Sequence, residues 1–400
     1  MKIIENENQR IVQSEHYNTV FNKQTGLFMR WGKTKEEDPI MSPLPEILDL
    51  EISQGKCSGK CPECYKCNGD VEEVHNLSFD DFRKIFHNIA KTVVEIKADE
   101  KTERLYVYDN LKNLENCMTK QDIIADVGSF YFDEAYTTVD IKVYNEGLLS
   151  QIAFGICDLD TNPYFIKMME YCREFDVVPN FTFNGNGLTE ELADKISKLA
   201  GAVAVSNYNS ENTYNSIKML TDRGMKQINI HQITHDKSYN KILKTIDDIK
   251  TDPRLKKFNA LVLLRYKPKG NGIGKFNQLT IEQYKHIIEY ANSKGVNIGF
   301  DSCSAPLYLK AIEGNKELEK TKIFVEPCES SLFSSYINCK GEFFACSFCE
   351  GEGMWKTGIN VLENRFENVW YNEQTKRFRD ILIKNKRNCP MFNLDNIKTL

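Results

Sequence analysis

Residues 47–67 read ILDLEISQGKCSGKCPECYKC, an apolar run that is followed by four cysteines within eleven residues. The apolar run predicts a buried strand. The next segment, NLSFDDFRKIFHNIAKTVV (76–94), has apolar residues at helical spacing behind a Ser78 cap. The cysteines therefore lie in a loop that leads from the carboxyl end of a strand into a helix, and this is the position at which α/β barrels build their active sites.

The composition is typical of a soluble globular protein. A chain of 400 residues exceeds the size at which single hydrophobic cores stop growing, about 250 to 300 residues, so more than one domain is expected. No run of about 18 apolar residues is present that could span a membrane. The amino-terminal stretch, MKIIENENQRIVQSEHYN (1–18), is polar and lacks the apolar core of a signal peptide, which predicts a cytoplasmic protein.

Net charge and cysteine usage narrow the possible partners and ligands. The formal net charge is −5 and no basic run is present, so a nucleic-acid partner is not expected. Disulfides are rare in the cytoplasm, so the thirteen cysteines are expected to pack as thiols or to bind metal. Four of them stand alone, at Cys117, Cys157, Cys172 and Cys303. We interpret Cys117 and Cys172 as small buried hydrophobes.

Strands and helices alternate from residue 149 onward. The predicted strands are 149–156, 177–185, 201–208, 226–234, 258–267 and 296–302, and the predicted helices are 162–175, 188–200, 211–224, 239–251 and 280–295. Strands that alternate with helices of this length predict parallel strands joined by crossover helices. Together with the strand before the cysteine loop, they make six or seven units. The expected fold is α/β, a partial (β/α)6 TIM-like barrel.

The rest of the chain divides around this barrel. Residues 17–32, YNTVFNKQTGLFMRWG, predict a β-hairpin in an amino-terminal extension over 1–43. The barrel is expected over 44–305, with an insertion at 95–148 that either shapes substrate access or adds packing. Residues 306–400 predict a small cysteine-rich domain that contains a β-hairpin at 334–348.

The sequence spacing of Cys57, Cys61 and Cys64 distinguishes between the possible kinds of metal site. A structural zinc site normally takes two Cys-x2-Cys pairs that lie a dozen or more residues apart. Cys57-x3-Cys61-x2-Cys64 is a single compact loop instead. Three thiolates suit a cubane iron–sulfur cluster, in which the fourth iron stays open for another ligand. An open coordination position indicates chemistry more often than structure.

These three cysteines, with Tyr65 behind a first buried strand and before repeated β/α units, resemble the motif of the radical S-adenosylmethionine (radical SAM) superfamily. The resemblance implies a [4Fe–4S] cluster on Cys57, Cys61 and Cys64 whose open iron chelates S-adenosylmethionine. It implies reductive cleavage of that cofactor to a 5′-deoxyadenosyl radical, which abstracts hydrogen from a substrate. It also implies an electron donor such as flavodoxin or ferredoxin. Cys67 is interpreted as packing beside the loop.

The same resemblance suggests cofactor-binding residues at the ends of three strands. GICD (155–158) stands where the superfamily has Gly-Gly-Glu-Pro, so Asp158 would replace the glutamate that holds the amino group of the cofactor. FTFNGNG (181–187) resembles the Thr-Asn-Gly segment of the third strand, which makes Asn184 a candidate. Ser206 and Asn207 end the fourth strand, where ribose hydroxyls commonly lie.

Two further segments leave alternatives open. LLRYKPKGNGIG (263–274) resembles a Lys-Pro-x-Gly segment of relatives that carry extra clusters, or is an ordinary turn. His231 and His235 lie four residues apart on a predicted strand, about 13 Å apart, so they are not expected to share one metal. His231 is either a substrate contact in the barrel mouth or a packing histidine.

The late cysteines predict a second metal site. Cys328-x12-Gly341-x4-Cys346 crosses a predicted hairpin, and Cys349 and Cys389 follow. The pattern resembles the first half of the SPASM domain, and the cysteine count suits its shorter form, the twitch domain. This resemblance implies an auxiliary cluster, a [4Fe–4S] centre with four cysteine ligands, Cys328, Cys346, Cys349 and Cys389. Cys339 is the main rival for a place, and zinc in the same cage is the alternative.

The sequence supports one leading function and two alternatives. The leading one is a radical SAM enzyme that acts on a peptide, as in the maturation of ribosomally made peptides. A radical SAM enzyme that acts on a small-molecule or nucleotide-derived substrate is the second possibility. The third is a non-catalytic protein that binds zinc or iron–sulfur clusters. No further catalytic residue can be assigned from the sequence.

Overall fold

The structure is a computed structural model. It describes residues 1–66, 69, 73–112, 114, 117–133 and 136–392, with the backbone alone at 130–133. Cys67 therefore lies outside the described residues. None of the helices in these ranges is both long enough and apolar enough to cross a bilayer.

The strands follow one another in four sheets. They are β1 (Lys2–Glu5), β2 (Gln9–Gln13), β3 (Asn18–Asn22), β4 (Phe28–Trp31), β5 (Ile47–Glu51), β6 (Ser53–Gln54), β7 (His75–Asn76), β8 (Thr92–Ala98), β9 (Lys101–Tyr106), β10 (Val139–Asn145), β11 (Gln151–Gly155), β12 (Val178–Phe183), β13 (Val203–Ser206), β14 (Ile228–Thr234), β15 (Ala260–Arg265), β16 (Ile298–Phe300), β17 (Ser334–Ile337), β18 (Glu342–Phe344) and β19 (Ile359–Asn360).

The helices connect these strands or pack around them. They are α1 (Phe79–Ala90), α2 (Val107–Asn110), α3 (Lys120–Asp133), α4 (Phe165–Glu174), α5 (Glu190–Leu199), α6 (Ser210–Asp222), α7 (Tyr239–Thr251), α8 (Ile281–Ser293), α9 (Ala305–Ile312), α10 (Lys316–Glu319), α11 (Phe366–Trp370) and α12 (Glu373–Lys384).

The central sheet has ten strands in the order β16-β15-β14-β13-β12-β11-β5-β17-β18-β19. β5 and β11 to β16 are parallel to their neighbours, and α1 and α4 to α8 lie between them along the chain. The prediction of a partial barrel with six β/α units is confirmed, and β16 adds a seventh strand. The two ends of the sheet, β16 and β19, are not neighbours in the strand order, so the barrel is open.

Alternation along the barrel strands separates the core from the interior cavity. On β5, Leu48 is fully buried, whereas its neighbour Asp49 lines the cavity. On β14, Ile228 and Ile230 are fully buried and His231 lines the cavity. Successive side chains of a strand point to opposite faces of the sheet, so one face of these strands packs against the helices and the other faces the barrel interior.

The predicted helix starts are confirmed by their caps. The Ser78 hydroxyl accepts a hydrogen bond from the backbone N–H of Asp81 at 3.0 Å. Thr280 and Gln283 form a reciprocal capping box at the start of α8. Such side-chain oxygens satisfy backbone N–H groups that have no partner in the first turn of a helix.

The insertion forms an antiparallel sheet in the order β10-β8-β9, together with α2 and α3. It begins after the carboxyl end of α1 and returns to the amino end of β11, so it lies at the edge of the barrel opposite the cysteine loop. There the buried guanidinium of Arg10 donates a hydrogen bond to the carbonyl oxygen of Gly147 at 2.6 Å. This location favours added packing over a role in substrate access.

The amino-terminal extension is a four-stranded sheet, β1-β2-β3-β4. The predicted hairpin is confirmed as β3 and β4, but β1 and β2 were not predicted. The carboxy-terminal hairpin is confirmed as β17 and β18, and β17 pairs in parallel with β5. The hairpin therefore extends the barrel sheet, while the division of the chain into three domains stays a prediction.

Candidate functional site

A cavity of about 480 Å³ opens at the carboxyl ends of the parallel strands. Its volume is within the usual range for sites that bind small molecules, about 300 to 1,000 Å³. Each of the strands β11 to β16 supplies a lining residue at or near its carboxyl end, namely Gly155, Asn184, Ser206, His231, Arg265 and Asp301. Cys57, Cys61 and Cys64 line the same cavity, so the predicted barrel mouth and the predicted cysteine loop coincide.

The cysteine loop is compact, and its cysteines Cys57, Cys61 and Cys64 form no disulfide. The backbone N–H of Cys64 donates a hydrogen bond to the carbonyl oxygen of Cys61 at 3.1 Å. A Cβ atom at Gly59 would lie 3.2 Å from the Cys61 sulfur and 3.3 Å from the Asn184 amide nitrogen, so a side chain there would crowd the thiols. Thiols that face one cavity are the donor set of an iron–sulfur cluster, and these residues fit such a group.

A fourth cysteine, Cys157, also lines the cavity but is directed at Cys57. The pKa of Cys57 is lowered to about 6, mainly because the Cys157 thiol donates a hydrogen bond to its sulfur. The same contact, with burial, raises the pKa of Cys157, so Cys157 stays protonated. Burial raises the pKa of Cys61 to about 12. The hydroxyl of Tyr208 donates a hydrogen bond to the Cys61 sulfur and acts in the opposite direction, lowering this pKa. Metal binding at Cys61 therefore has to release a proton.

Asp158 and Asn184, two of the predicted cofactor-binding residues, lie together beside this loop. The Asp158 carboxylate accepts hydrogen bonds from the Ser58 backbone N–H at 2.7 Å and from the Asn184 amide at 2.7 Å. The Asn184 amide nitrogen lies 3.8 Å from the Cys57 sulfur. Ser206 lines the cavity as well.

Asn207 does not belong to this group, which corrects the sequence prediction. Its side chain is buried, donates to the Thr245 hydroxyl at 3.0 Å and accepts from the Ser210 hydroxyl at 3.0 Å. Because Ser206 faces the cavity, its neighbour in the chain faces the helix layer. Asn207 therefore helps to join β13 to α6 and α7.

Sequence reasoning missed several residues at the cavity. Ser58 lies inside the cysteine motif, and its hydroxyl donates to Asp158 at 2.6 Å and accepts from the Asn186 amide at 3.0 Å. Tyr208 and Asp49 line the cavity. The period-two alternation of β5 could have placed Asp49 on the interior face, whereas no sequence signal joins Ser58 to Asp158, one hundred residues away.

The two predicted histidines serve different purposes. His231 lines the cavity, lies 3.4 Å from the Thr182 hydroxyl, and has a pKa lowered to about 4 by burial, so it is neutral near pH 7. The His235 ring donates to the Glu63 carboxylate at 3.0 Å and packs on Phe276 with ring centres 4.2 Å apart. Since Glu63 lies between Cys61 and Cys64, His235 ties the cysteine loop to the end of β14.

The segment 267–274 is a turn that docks on the cysteine loop. The backbone N–H of Asn271 donates to the carbonyl oxygen of Cys64 at 2.8 Å. Gly270 has a φ of +60°, and a Cβ atom there would lie 2.4 Å from the same carbonyl oxygen. The close approach needs glycine both for the positive φ and for the space.

Replacement of Gly270 by alanine is expected to separate this turn from the cysteine loop. Gly274 offers a matched control, because its φ is +69° and a Cβ atom would meet nothing within 4 Å. Gly274→Ala should cost about 1 kcal/mol of backbone strain, whereas Gly270→Ala should cost more and should lower the iron bound at the first site. Urea unfolding and iron content after anaerobic reconstitution measure the two effects. Equal behaviour of the two variants would contradict the docking role of Gly270.

The carboxy-terminal cysteines gather at a second site. Cys346 and Cys349 have their sulfurs 3.3 Å apart. Cys328 interacts electrostatically with Cys346 and Cys389, and Cys349 with Cys328 and Cys389. Burial raises the pKa of Cys328 and of Cys389 to about 12.

Cys339, the rival ligand, is not part of this group. Its sulfur lies 4.0 Å from the Gln54 amide oxygen, and its electrostatic neighbours are Glu51, Lys66 and Glu350. Cys303, which the sequence left as a lone cysteine, has its pKa raised to about 12, chiefly by burial, with a smaller electrostatic contribution from Cys328 and Cys346.

Two kinds of metal site use several thiolates as ligands. A structural zinc ion takes four ligands in a tetrahedron, and a cubane cluster takes one thiolate on each iron. The cysteines of the second site supply thiols for either group, so zinc stays the alternative to an iron–sulfur cluster there.

Direct contacts join the two cysteine sites. The Tyr65 ring packs on the Phe348 ring with centres 4.3 Å apart. Lys66 forms a buried ion pair with Glu51 at 3.1 Å and another with Glu350. Since Tyr65 and Lys66 follow Cys64, and Phe348 and Glu350 flank Cys349, the loops of the two sites support each other.

No protein-family model and no curated protein sequence matches the chain. Solved structures do match its fold. SuiB of Streptococcus suis bound to the precursor peptide SuiA is 13% identical, with a TM-score of 0.60 over 94% of this chain and 90% of that one. SuiB bound to S-adenosylmethionine is 14% identical, with a TM-score of 0.59 over the same shares. Native anSMEcpe with bound AdoMet, which is S-adenosylmethionine, is 13% identical, with a TM-score of 0.53 over 84% of this chain and 83% of that one.

These likenesses extend over the barrel and beyond it, since they cover more than four fifths of the chain. At such low identity they concern the fold and not the residues of the site. The chain shares the fold of these structures, two of which hold S-adenosylmethionine, as its resemblance to the radical SAM superfamily predicts.

Proposed function

We propose that this protein is a radical SAM enzyme that modifies a peptide by hydrogen abstraction. The observation that carries the proposal is the cavity that Cys57, Cys61, Cys64 and Asn184 line together. The Asp158 carboxylate lies beside it and accepts hydrogen bonds from Asn184 and from Ser58 of the cysteine loop. The loop offers soft thiolate ligands, and Asn184 and Asp158 next to it offer an amide and a carboxylate. A metal cluster and a polar cofactor need donors of these two kinds side by side.

In this proposal, each of the residues at or beside the cavity has a role. Cys57, Cys61 and Cys64 hold a [4Fe–4S] cluster, which would supply the electron that cleaves S-adenosylmethionine to the 5′-deoxyadenosyl radical. Asp158 accepts hydrogen bonds from the amino group of the cofactor, and Asn184 fixes the orientation of that carboxylate. Ser206 faces the ribose. His231 is neutral and offers a hydrogen-bonding nitrogen to the substrate.

The peptide substrate is supported by what the similar structures bind. SuiB was solved with the precursor peptide SuiA, and anSMEcpe with AdoMet and the Cp18Cys peptide. Both share the fold of this chain over most of its length. We infer by analogy that the substrate belongs to the same class, a ribosomally made peptide.

The second site is proposed to hold an auxiliary [4Fe–4S] cluster on Cys328, Cys346, Cys349 and Cys389. With four protein ligands, its irons are saturated, and its part is electron transfer to or from the substrate. The contact between Tyr65 and Phe348 joins the loop of the second site to that of the first. Flavodoxin or ferredoxin is the proposed donor of the first electron.

The test is anaerobic reconstitution with iron and sulfide, reduction with dithionite, and assay for 5′-deoxyadenosine in the presence of S-adenosylmethionine. Two cubane clusters predict about eight irons per chain. A colourless zinc-loaded protein that forms no 5′-deoxyadenosine would favour a structural metal-binding protein instead. About four irons per chain would argue against the auxiliary cluster alone.

Replacement of Asp158 by asparagine is expected to weaken the binding of S-adenosylmethionine by about ten- to a hundredfold, because a charged hydrogen bond contributes about 1.5 to 3 kcal/mol. The amide keeps the shape of the side chain but loses the charge that attracts the amino group of the cofactor. Equilibrium binding to the reconstituted protein measures the effect. Asn207→Asp is the control, since Asn207 faces the helix layer. Unchanged affinity in Asp158→Asn would contradict the assignment.

A further inference from the structure

Four acidic residues line the cavity, and three of them are paired within the protein. The pairs are Glu51 with Lys66 at 3.1 Å, Glu63 with His235 at 3.0 Å and Asp301 with Lys267 at 2.6 Å. The fourth is Asp49, whose carboxylate has no hydrogen bond or ion pair among the residues that the structure describes. Charged groups inside proteins are normally paired, so an unpaired carboxylate in a cavity indicates a partner from outside the chain.

The sheet holds Asp49 at a definite place in the cavity. Asp49 is the middle residue of β5, and its neighbours across the sheet are Ala153 on β11 and Tyr336 on β17. It lies two residues before the end of the strand, and therefore about 7 Å below the edge from which the cysteine loop begins. The residue is exposed where it lines the cavity. A rigid strand thus presents this carboxylate to the interior of the barrel.

Glu51 is the matched comparison on the same strand. Side chains two residues apart on a strand point to the same face, so Glu51 and Asp49 share the interior face of β5. The Glu51 carboxylate pairs with Lys66 and also accepts a hydrogen bond from the Tyr336 hydroxyl at 3.2 Å. The protein therefore supplies a cation to one of these two carboxylates and leaves the other open.

The surroundings of Asp49 suit a basic side chain. Next to this part of β5, β11 has only Ala153 and Gly155 at the positions that line the cavity, so no long side chain from that strand fills the space. The cavity also has apolar lining residues, among them Ile156, Ile233 and Phe348. Lysine and arginine combine a methylene stem, which packs on apolar surface, with a cationic end that a carboxylate binds.

We propose that Asp49 is a specificity-determining residue that binds a basic side chain, lysine or arginine, of the peptide substrate. This inference deepens the proposed function and rests on it. The Asp49 carboxylate accepts hydrogen bonds from the ammonium or guanidinium group, and no covalent bond forms or breaks. The basic residue thereby fixes which part of the peptide lies in the barrel, while Asp158, beside the cysteine loop, remains the residue assigned to the amino group of the cofactor.

An unpaired carboxylate lowers stability, and this separates a binding role from a structural one. Burial raises the pKa of Asp49 to about 7. Asp49→Asn removes a charge that has no partner, so the variant is expected to melt at the wild-type temperature or above it. Glu51→Gln removes one of the two carboxylate partners of the buried Lys66, and it is expected to melt at a lower temperature.

The test measures the binding of acetylated and amidated pentapeptides, Gly-Gly-X-Gly-Gly, in which X is lysine, arginine or norleucine. Saturation-transfer NMR titration is carried out on the full-length reconstituted chain with S-adenosylmethionine and without reductant, at about pH 8, where Asp49 is ionised. The wild type is expected to bind the lysine or the arginine peptide about ten- to a hundredfold more tightly than the norleucine peptide. Asp49→Asn is expected to bind all three alike. Asp140→Asn is the control that keeps the preference, because Asp140 lies on β10 in an exposed ion pair with Lys142.

Each other outcome counts against Asp49 in a different way. Equal affinity of the wild type for the three peptides overturns the proposal, as does no binding of any of them or a preference that persists in Asp49→Asn. A melting temperature that falls as far in Asp49→Asn as in Glu51→Gln shows a structural role. Weaker binding of S-adenosylmethionine by Asp49→Asn, with the peptide preference unchanged, assigns the carboxylate to the cofactor instead.

Failure of the proposed function is distinguishable from failure of this inference. The titration involves no radical chemistry, and the assay for 5′-deoxyadenosine without peptide involves no basic side chain. A chain that prefers the basic peptides and forms no 5′-deoxyadenosine keeps the Asp49 site and loses the radical function. A chain that forms 5′-deoxyadenosine and shows no preference keeps the radical function and loses the Asp49 site.

Discussion

Replacement of Cys61 by alanine in the otherwise unchanged chain is expected to lower the formation of 5′-deoxyadenosine by about three orders of magnitude or more, equivalent to at least about 4 kcal/mol of lost transition-state stabilisation. Cys61 is one of the three cysteines of the loop that line the cavity, and two thiolates cannot hold a cubane in place. Iron content is expected to fall from about eight to about four per chain, because the second site keeps its own cluster.

Cys339→Ala is the matched control for this prediction. Cys339 is a buried thiol close to Glu51 and Lys66, but it lies outside both cysteine groups. We expect its removal to leave iron content unchanged and 5′-deoxyadenosine formation within about twofold, since nothing that binds iron or cofactor is lost. Turnover of S-adenosylmethionine by Cys61→Ala at the unmodified rate would show that the three-cysteine loop is not the site of the chemistry.

Much of the barrel could be predicted because local patterns determine it. Apolar residues at spacing 2 or 3.6 gave the strands and helices from 149 to 302, and the structure confirms them. Their parallel order follows from the crossovers. β1 and β2 were not predicted because KIIE (2–5) and QRIVQ (9–13) are short and largely polar, and their pairing depends on partners further along the chain.

The site residues could be predicted where their position depends on sequence spacing. They could not be predicted where it depends on the direction in which a side chain points. The three cysteines lie close in sequence, so the loop alone brings them together. Ser206 and Asn207 are adjacent, and only the pleat of β13 decides which one reaches the cavity. Ser58 and Asp158 are one hundred residues apart, and no local pattern records that they contact each other.

Replacement of Arg30 by methionine is expected to destabilise the whole protein by about 3 to 5 kcal/mol, because removal of one partner leaves buried charges without compensation. The Arg30 guanidinium donates to Glu46 at 3.0 Å and to Glu329 at 2.8 Å, and it lies 3.8 Å from the centre of the Phe333 ring. It therefore joins the amino-terminal sheet to the start of the barrel and to the segment next to Cys328. Urea unfolding of the apoprotein measures the loss.

Arg223→Met is the control for this change, since Arg223 forms ion pairs with Glu190 and Asp194, whose side chains are 76% and 60% exposed. Exposed pairs of this kind contribute about 1 kcal/mol or less. A loss of stability in Arg30→Met no larger than in Arg223→Met would show that the buried network does not hold the sheet in place.

The pH dependence of the Arg30→Met variant gives an independent check of the same network. Burial raises the pKa of Glu46 to about 7, and Arg30 acts against this rise. Without Arg30 the pKa of Glu46 in the folded protein must rise further, while its value in the unfolded chain is unchanged. A carboxyl group whose pKa is raised by folding contributes stability that is lost as the pH increases through its folded value.

Below the wild-type pKa of about 7, Glu46 is protonated in both proteins, so the deficit of the variant is smallest there. Above it, only the variant has to keep a proton on Glu46 or bury an unpaired charge, so the deficit should increase from about pH 7 up to the higher pKa of Glu46 in the variant and then stay constant. A deficit that stays constant from acid to alkaline pH would mean that Arg30 stabilises the protein by packing on Phe333 and not by its charge.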